Sequence, residues 1–333
     1  MKTWNGYMKG VNLGGWISQC PRDRSHYESF ITQKDIDKIA SWGLDHVRLP
    51  IDNDVVSDEQ GRFIPDGIKY VDDCIKWCRA CGLNIILDLH KSPGYAFYNE
   101  ANTLFEDAHV QDTFVHLWRE FASRYGEYGD SVSFELLNEV VDADPGIWNG
   151  LIGRTIIEIR KIAPATKIVV GGIRWNSAST LELLDAPYDE NIVFTYHFYD
   201  PFLFTHQRAQ WVKPLSGLTV RYPGDIEEYR RISRELRSYD SEYSQTEAMG
   251  RQYLEKRMMT AINTAKKYNV YLYCGEYGVH HNAPIESTLK WYSDIHSIFE
   301  EYKIARAAWT YKSMSFGISD QYGEASQQII ECL

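Results

Sequence analysis

Two acidic residues stand where short apolar runs end. Glu139 closes "FELLNEV" (134–140) directly after Asn138, and Glu276 lies in "CGEYG" (274–278). A polar pair at the end of a buried run is costly unless it finds partners there. Other residues capable of chemistry occupy the same kind of place. They are Arg48 in "DHVRLP", His90 closing "ILDLH", His197 and Tyr199 in "TYHFY", and Trp309 in "AAWTYK". Taken singly, each has an ordinary structural account: Glu139 as a helix cap, His90 as a hydrogen-bonded interior histidine, Arg48 as an ion-pair partner, Glu276 as the brace of a tight turn. Jointly they call for a framework that brings six run ends together.

That framework is readable. Eight β-like runs recur, at 7–13, 45–51, 84–90, 132–138, 167–172, 192–199, 270–276 and 305–311. The stretches between them carry helical periodicity. Val71, Cys74, Ile75 and Cys78 follow the second run; Val110, Phe114, Leu117, Trp118 and Phe121 follow the third. Leu254, Met258, Ala261, Ile262 and Ala265 precede the seventh, and Leu289, Tyr292, Ile295 and Phe299 follow it. Gly43 and Gly82 sit where helices should stop. Eight alternating units are the signature of a closed parallel (β/α)8 TIM barrel. An open doubly wound sheet is the competitor, but it carries a glycine fingerprint after the first strand, and "GGWISQCP" lacks that spacing. The expectation is one α/β domain over 1–333. The gap between the sixth and seventh runs is long, which predicts a small helical or loop insertion at about 201–250. It carries apolar anchors (Phe202, Phe204, Trp211) and a charged helical run, "GDIEEYRRISRELRSY". Leaving the face where barrels keep their sites, it reads as a lid or binding wall.

In such a barrel the fourth and seventh strands place Glu139 and Glu276 across one mouth. Paired carboxylates flanking a bond suit glycoside cleavage: one protonates the leaving oxygen while the other attacks the sugar carbon or activates water. The gap between them decides the stereochemical outcome, and sequence does not measure it. A nucleophile must be ionised, so a cation such as Arg48 should lower its pKa, and Tyr199 can donate to the same carboxylate. The acid must hold its proton, which needs burial or a carboxylate neighbour. Asn138 can bond a sugar hydroxyl, His197 can orient the acid, and Trp309 can present a flat face to a pyranose. Glu135, by period two, should face the barrel interior and pair with Arg48.

Composition narrows the classes. The chain has 333 residues and a net charge of −11, which argues against nucleic acid. Aromatic content is 14%, with 23 Tyr and 10 Trp, as suits a sugar cleft. No run is long and apolar enough for a membrane span, and no signal-peptide core is visible near the start. The protein is expected in the cytoplasm, or secreted with its leader already removed. Six cysteines, three of them in "CIKWCRAC", are poorly spaced for a disulfide framework.

The motifs "GVNLGGW" (10–16), "DHVRLP" (45–50), "ILDLH" (86–90), "FELLNEV" (134–140), "TYHFY" (195–199), "YCGEYGV" (273–279) and "AAWTYK" (307–312) together resemble glycoside hydrolase family 5, over nearly the whole chain. The resemblance implies a retaining mechanism with Glu139 as acid/base and Glu276 as nucleophile. It implies that Arg48, His90, Asn138, His197, Tyr199 and Trp309 occupy the reaction-centre positions. It also implies hydrolysis of a β-linked glucan or glucan oligosaccharide. The loop after the sixth strand is similar to the small subdomain of some bacterial endoglucanases of this family.

Rival readings are defined. "CIKWCRAC" has the spacing of radical iron–sulfur enzymes, but it lies mid-helix after the second run and Cys74, Cys78 and Cys81 coincide with the apolar stripe of that helix, so buried thiols are the better account. A metal-dependent barrel hydrolase would need ligands near the first strand, where "VNLGGW" has none, and His280–His281 read as loop residues. A non-catalytic sugar-binding protein conflicts with the presence of both glutamates. No cofactor or metal is expected, and a monomer is. Trp16, Trp175, Trp211 and Phe204 are candidate sugar platforms. Together with an acidic cleft they favour internal cleavage of β-1,4-glucan or mixed-linkage β-glucan. β-Mannan, xylan and exo-acting cleavage of β-1,3-glucan stay open, since fold does not fix substrate.

Overall fold

The computed structural model describes residues 1–99, 102–141, 143–236, 243 and 247–333. Among these residues nine strands form: β1 (Lys9–Asn12), β2 (His46–Asp52), β3 (Asn84–Ser92), β4 (Tyr95–Ala96), β5 (Val132–Glu135), β6 (Ile168–Gly171), β7 (Ile192–Phe198), β8 (Tyr271–Tyr277) and β9 (Ala305–Ala308). All but β4 pair in parallel in the order β2-β1-β9-β8-β7-β6-β5-β3, and β2 also pairs with β3, which closes the barrel. The eight anticipated runs are the eight staves. The addition is β4, a two-residue antiparallel return on the end of β3.

The principal helices are α1 (Arg24–Ser29), α2 (Gln33–Ser41), α3 (Asn53–Val56), α4 (Pro65–Ala80), α5 (Ala108–Tyr125), α6 (Pro145–Arg160), α7 (Phe202–Thr205), α8 (Ile226–Leu236), α9 (Arg251–Tyr268), α10 (Ile285–Tyr302) and α11 (Ser326–Ile330). Local chemistry sets their ends. Pro65 begins α4 with a residue that needs no N–H partner there. Asp107 and Asp144 cap α5 and α6 by accepting backbone N–H groups. Gly43 and Gly82 follow α2 and α4 at φ of +75° and +72°, a conformation glycine adopts without cost. Cys74 and Cys78 are buried in the core face of α4, and Cys81 points its thiol at Asp37. The three do not converge as cluster ligands.

Two apolar bodies result. One fills the annulus between staves and helices. The other closes the lower barrel interior, where Ile86, Val169, Val193, Tyr273, Ala305 and Ala307 meet Trp4 and Tyr7. Trp4 and Tyr7 stack at 4.2 Å across that end. Above this plug the interior turns polar, with Arg48, Asp88 and Glu135 fully buried.

The chain between β7 and β8 holds α7, a single 3-10 turn at Lys213–Leu215, α8 and α9. Of the expected 201–250 insertion, residues 237–242 and 244–246 lie outside the described residues.

One contact carries a stability prediction. A Cβ built on Gly67 in the first turn of α4 would lie 1.8 Å from the Val55 carbonyl oxygen of α3. Helix propensity alone favours alanine by about 1 kcal/mol. The clash is with backbone, so Gly67→Ala should instead destabilise by about 2 kcal/mol or more. A denaturant midpoint at or above that of the parent would contradict this packing.

Candidate active site

The site is organised around one side chain. Arg48, on β2, has no exposed surface. Its Nε donates to Glu135 Oε2 at 2.7 Å and its Nη2 to Glu135 Oε1 at 3.0 Å. Nη2 also donates to Asn138 Oδ1 at 2.9 Å and lies 3.0 Å from Asp88 Oδ2. Nη1 donates to Asn12 Oδ1 at 2.9 Å and to Glu276 Oε1 at 2.8 Å. The planar five-donor fork of arginine is what allows one cation to serve so many acceptors. The anticipated Glu135–Arg48 pair is present and bidentate.

Glu276 reaches the interior because β8 breaks its alternation. The register shifts between Tyr196/Cys274 and His197/Glu276, leaving Gly275 as an extra residue. Tyr273 belongs to the interior cluster and Cys274 to the annulus. Strict period two would then turn Glu276 outward, and the bulge turns it in. The bulged residue is glycine for a steric reason: a Cβ there would sit 3.0 Å from Thr195 Oγ1 and 3.1 Å from His197 Nε2. Glu139 arrives differently. The β5 ladder stops at Glu135, and Glu139 takes a left-handed φ of 43°. Such strain persists where the surroundings over-determine it. Here the Tyr95 hydroxyl fixes the Glu139 carbonyl at 2.6 Å.

The two carboxylates meet. Glu139, His197 and Glu276 offer atoms that all lie within 4.8 Å of one another. His197 Nδ1 is 2.9 Å from Glu139 Oε1, and the Tyr199 hydroxyl donates to Glu276 Oε2 at 2.9 Å. Burial raises both acids. Glu139 is pushed well above the usual carboxylate range by burial and then by the charge of Glu276. Glu276 is raised by burial too, but Arg48 and then His90 pull against it. The expected effect of Arg48 is therefore present, though burial outweighs it. Burial drives His197 well below its ordinary value, which keeps the ring neutral. Tyr199 is raised far above its usual value by burial and the Glu276 charge, so it remains a donor. These three groups are the one set among the described residues close enough to share a cation. The Arg48 guanidinium already engages Glu276 and opposes a second positive charge there.

The cleft above them encloses about 550 Å³. Glu139, Glu276, His90, Tyr199, Trp309 and Trp211 line it, with Phe97, Tyr98, Gln19, Met314 and Phe316. His90 stacks on Trp309 at 5.7 Å and 8°. Asp88 Oδ2 holds His90 Nδ1 at 2.7 Å and raises the imidazole against the opposing effect of burial. The peptide between Trp309 and Thr310 is cis.

The four expected platforms divide. Trp211 is 58% exposed on the cleft wall, and Trp175 is 52% exposed on the turn after β6. Trp16 and Phe204 are corrections, because neither has exposed surface for a sugar to cover. Trp16 donates its indole N–H to the Tyr27 carbonyl at 2.7 Å, and Phe204 packs against Tyr222 inside the insertion. His280 and His281 stack on each other behind Phe316 and Trp211, so they brace the wall. Burial, then His281, lowers His280 to about 4. Sequence reasoning missed Asn12 and Asp88, both on Arg48. Each lay inside a motif already singled out, and Asp88 precedes His90 by the two residues that keep a strand's side chains on one face.

The Arg48 cluster predicts opposite stability effects for two isosteric changes. Glu135→Gln leaves the guanidinium facing an amide that donates where it should accept. It should cost about 3 kcal/mol, as broken buried pairs do. Glu139→Gln removes a buried acid pushed up by a like charge and should leave the thermal midpoint at or above the parent's. Calorimetry on the two variants checks both signs.

Residues 5–315 match the model for cellulase (glycosyl hydrolase family 5). Endoglucanase C of Acetivibrio thermocellus is 40% identical over 98% of both chains. Cellodextrinase A of Ruminococcus flavefaciens is 41% identical over 90% of this chain and 84% of its own. Among solved structures, Thermotoga maritima Cel5A in complex with mannotriose superposes with a TM-score of 0.80 at 25% identity over both full lengths. Cellulose synthase subunit Z of Clostridioides difficile does so at 0.80 and 27%, over 98% of this chain and 99% of its own. A closed barrel, two buried glutamates across its mouth and these matches along the chain agree: the protein belongs to glycosyl hydrolase family 5, the cellulase family.

Proposed function

We propose that this enzyme is a retaining, endo-acting β-glucan hydrolase for β-1,4-glucan and mixed-linkage β-glucan. Glu139 serves as acid/base and Glu276 as nucleophile. The observation that carries the reading is the approach of the two carboxyl groups, within 4.8 Å through their nearer oxygens. Retaining enzymes hold the pair at about 5–5.5 Å, and inverting ones leave room for water at about 6.5–9.5 Å.

The environments suit the division of labour. Glu276 accepts from Arg48 and Tyr199, both of which favour its ionised form. Its oxygen attacks the anomeric carbon as Glu139 gives its proton to the departing glycosidic oxygen, and the carbon–oxygen bond between sugars breaks. Glu139, now a carboxylate, takes a proton from water. That water attacks the same carbon and releases Glu276. His197, neutral and 2.9 Å from Glu139, positions the acid in both steps. Asn138 keeps Oδ1 on Arg48, while its Nδ2 has no protein acceptor and suits a sugar hydroxyl. Trp309 and His90 form a floor for the ring. Trp175 and Trp211 serve as platforms on either wall, which gives the insertion a part in substrate binding.

The substrate follows from the relatives' names, an endoglucanase and a cellodextrinase, together with the open, acidic, aromatic cleft. A panel of soluble polysaccharides with product sizing tests it. Internal cuts in β-1,4- or mixed-linkage glucan are expected, and turnover confined to mannan or xylan would refute the assignment. Glu139→Gln should lose about 10²–10⁴-fold on glucan, with a smaller loss on an aryl glycoside whose leaving group needs no proton. Glu276→Gln should lose both. The active form pairs ionised Glu276 with protonated Glu139, so activity should fall at acid as Glu276 takes up a proton. It should fall again at alkali as Glu139 loses one. Both acids are raised, so the bell should centre above the usual carboxylate range.

A further inference from the structure

His197 meets Glu139 with one ring nitrogen, and its other ring nitrogen is buried. Nε2 finds no hydrogen-bond partner among the described residues. Three more buried atoms share that condition: Thr195 Oγ1, Asn176 Oδ1 and Asn176 Nδ2. We propose that an internal water joins these four atoms into one network, and that Thr195 and Asn176 are thereby positioning residues that keep the His197 proton on Nδ1, toward Glu139. The inference rests on the hydrolase reading and deepens it by assigning what orients the acid.

The strands bring the four atoms together. Thr195 and His197 are two apart on β7, so both side chains face the interior. The β8 bulge sets Gly275 against them: the place of a Cβ there is 3.0 Å from Thr195 Oγ1 and 3.1 Å from His197 Nε2. Asn176 comes from the turn after β6, and its carbonyl accepts the His197 N–H at 2.9 Å. Its amide lies flat on Gly171, where a Cβ would be 2.5 Å from Oδ1 and 2.7 Å from Nδ2. Gly171 pairs with Thr195 in the register of β6 and β7. Two glycines, on the staves either side of β7, thus make room for a hydroxyl, an amide and an imidazole edge in one buried layer. Buried polar atoms are seldom left unpaired, and a buried water makes about three hydrogen bonds.

The chemistry selects the tautomer. A neutral imidazole has one N–H and one bare nitrogen. Glu139 passes between carboxyl and carboxylate during turnover. An N–H on Nδ1 can donate to Glu139 Oε1 in both states, whereas a bare Nδ1 would face lone pairs once Glu139 is ionised. With the proton on Nδ1, Nε2 must accept, and a hydroxyl, an amide N–H or a water can donate to it. His90 shows the contrast. Its Nδ1 faces the Asp88 carboxylate, which only accepts and, against burial, raises the ring's hold on a proton. Glu276 Oε2 lies 3.6 Å from His197 Nδ1, but burial, then Arg48 and His90, oppose a second proton on His197. The ring therefore stays neutral through the cycle. Its Nδ1–H holds Glu139 Oε1, and Oε2 carries the proton that passes to the glycosidic oxygen and is regained from water.

The test is Thr195→Val, which removes the hydroxyl and keeps the shape, with Thr195→Ser to restore it. On soluble β-glucan, Thr195→Val should lose about tenfold in kcat, the order of one hydrogen bond, with KM nearly unchanged. Its alkaline limb should move to higher pH, because Glu139 loses a donor that favours its ionised form. Thr195→Ser should restore both. An unchanged kcat and limb in Thr195→Val, or equal losses in Thr195→Ser, overturns the proposal. Two measurements on the parent need neither turnover nor a variant that folds. Nitrogen-15 spectra of the imidazoles should show His197 protonated on Nδ1 and bare on Nε2. A crystal should show an ordered water bonded to Nε2, Thr195 and Asn176. A proton on Nε2, or a crystal without that water, overturns the network whether or not the enzyme hydrolyses glucan. A parent inert on glucan that passes both measurements overturns the hydrolase reading alone.

Discussion

One guanidinium holds the upper barrel together. Arg48 is wholly buried and touches three carboxylates, Glu135, Asp88 and Glu276, and two amides, Asn12 and Asn138. These come from β1, β3, β5 with the chain just beyond it, and β8. A buried charge is tolerable when it is paired and every donor is used. The cluster meets that condition for the arginine, and the excess of negative charge falls on the acids. Burial accordingly raises Glu135 to about 7, against the pull of Arg48. The same excess keeps a proton on Glu139. Fold and chemistry thus depend on one residue: without Arg48 the barrel would enclose a set of carboxylates with nothing to bind them.

The two glutamates differ because the backbone delivers them by different devices. A bulge at Gly275 rotates Glu276 into the ring of Arg48 contacts. A left-handed residue at the end of the β5 segment lifts Glu139 out of it, toward His197. Arg48 reaches one directly and not the other. Two identical side chains therefore acquire separate proton affinities from a one-residue slip in one strand and one unusual φ in another.

Much of this was legible in the sequence, and the limits have physical causes. The eight staves and the helices beside them follow from period-two and period-3.6 patterns, which burial enforces. The reaction-centre residues stood out because each ended a run. The Glu135–Arg48 pair followed from period two. The bulge at Gly275 did not, since an inserted residue leaves no trace in hydrophobic pattern. Asp88 escaped notice because an acid inside "ILDLH" looks like a strand's solvent face until the barrel closes over it. Trp16 and Phe204 were misplaced for the converse reason: an aromatic residue near a loop has the same sequence signature whether its ring faces a groove or fills one. The spacing of Cys74, Cys78 and Cys81 lost its meaning once α4 was seen to bury two of them in apolar packing.

The stacked Trp4 and Tyr7 at the lower end of the barrel bear on how the second half-reaction can be supplied. Beneath the polar layer the apolar cluster around Trp4 and Tyr7 fills the lower barrel, and among the described residues the catalytic pair opens to solvent through the cleft above. The hydrolytic molecule has to come in through the top, by way of the space beside Glu139 that the first product occupies. Its arrival is gated by that product's exit, and a slow-leaving or newly arriving sugar competes with it for the same opening.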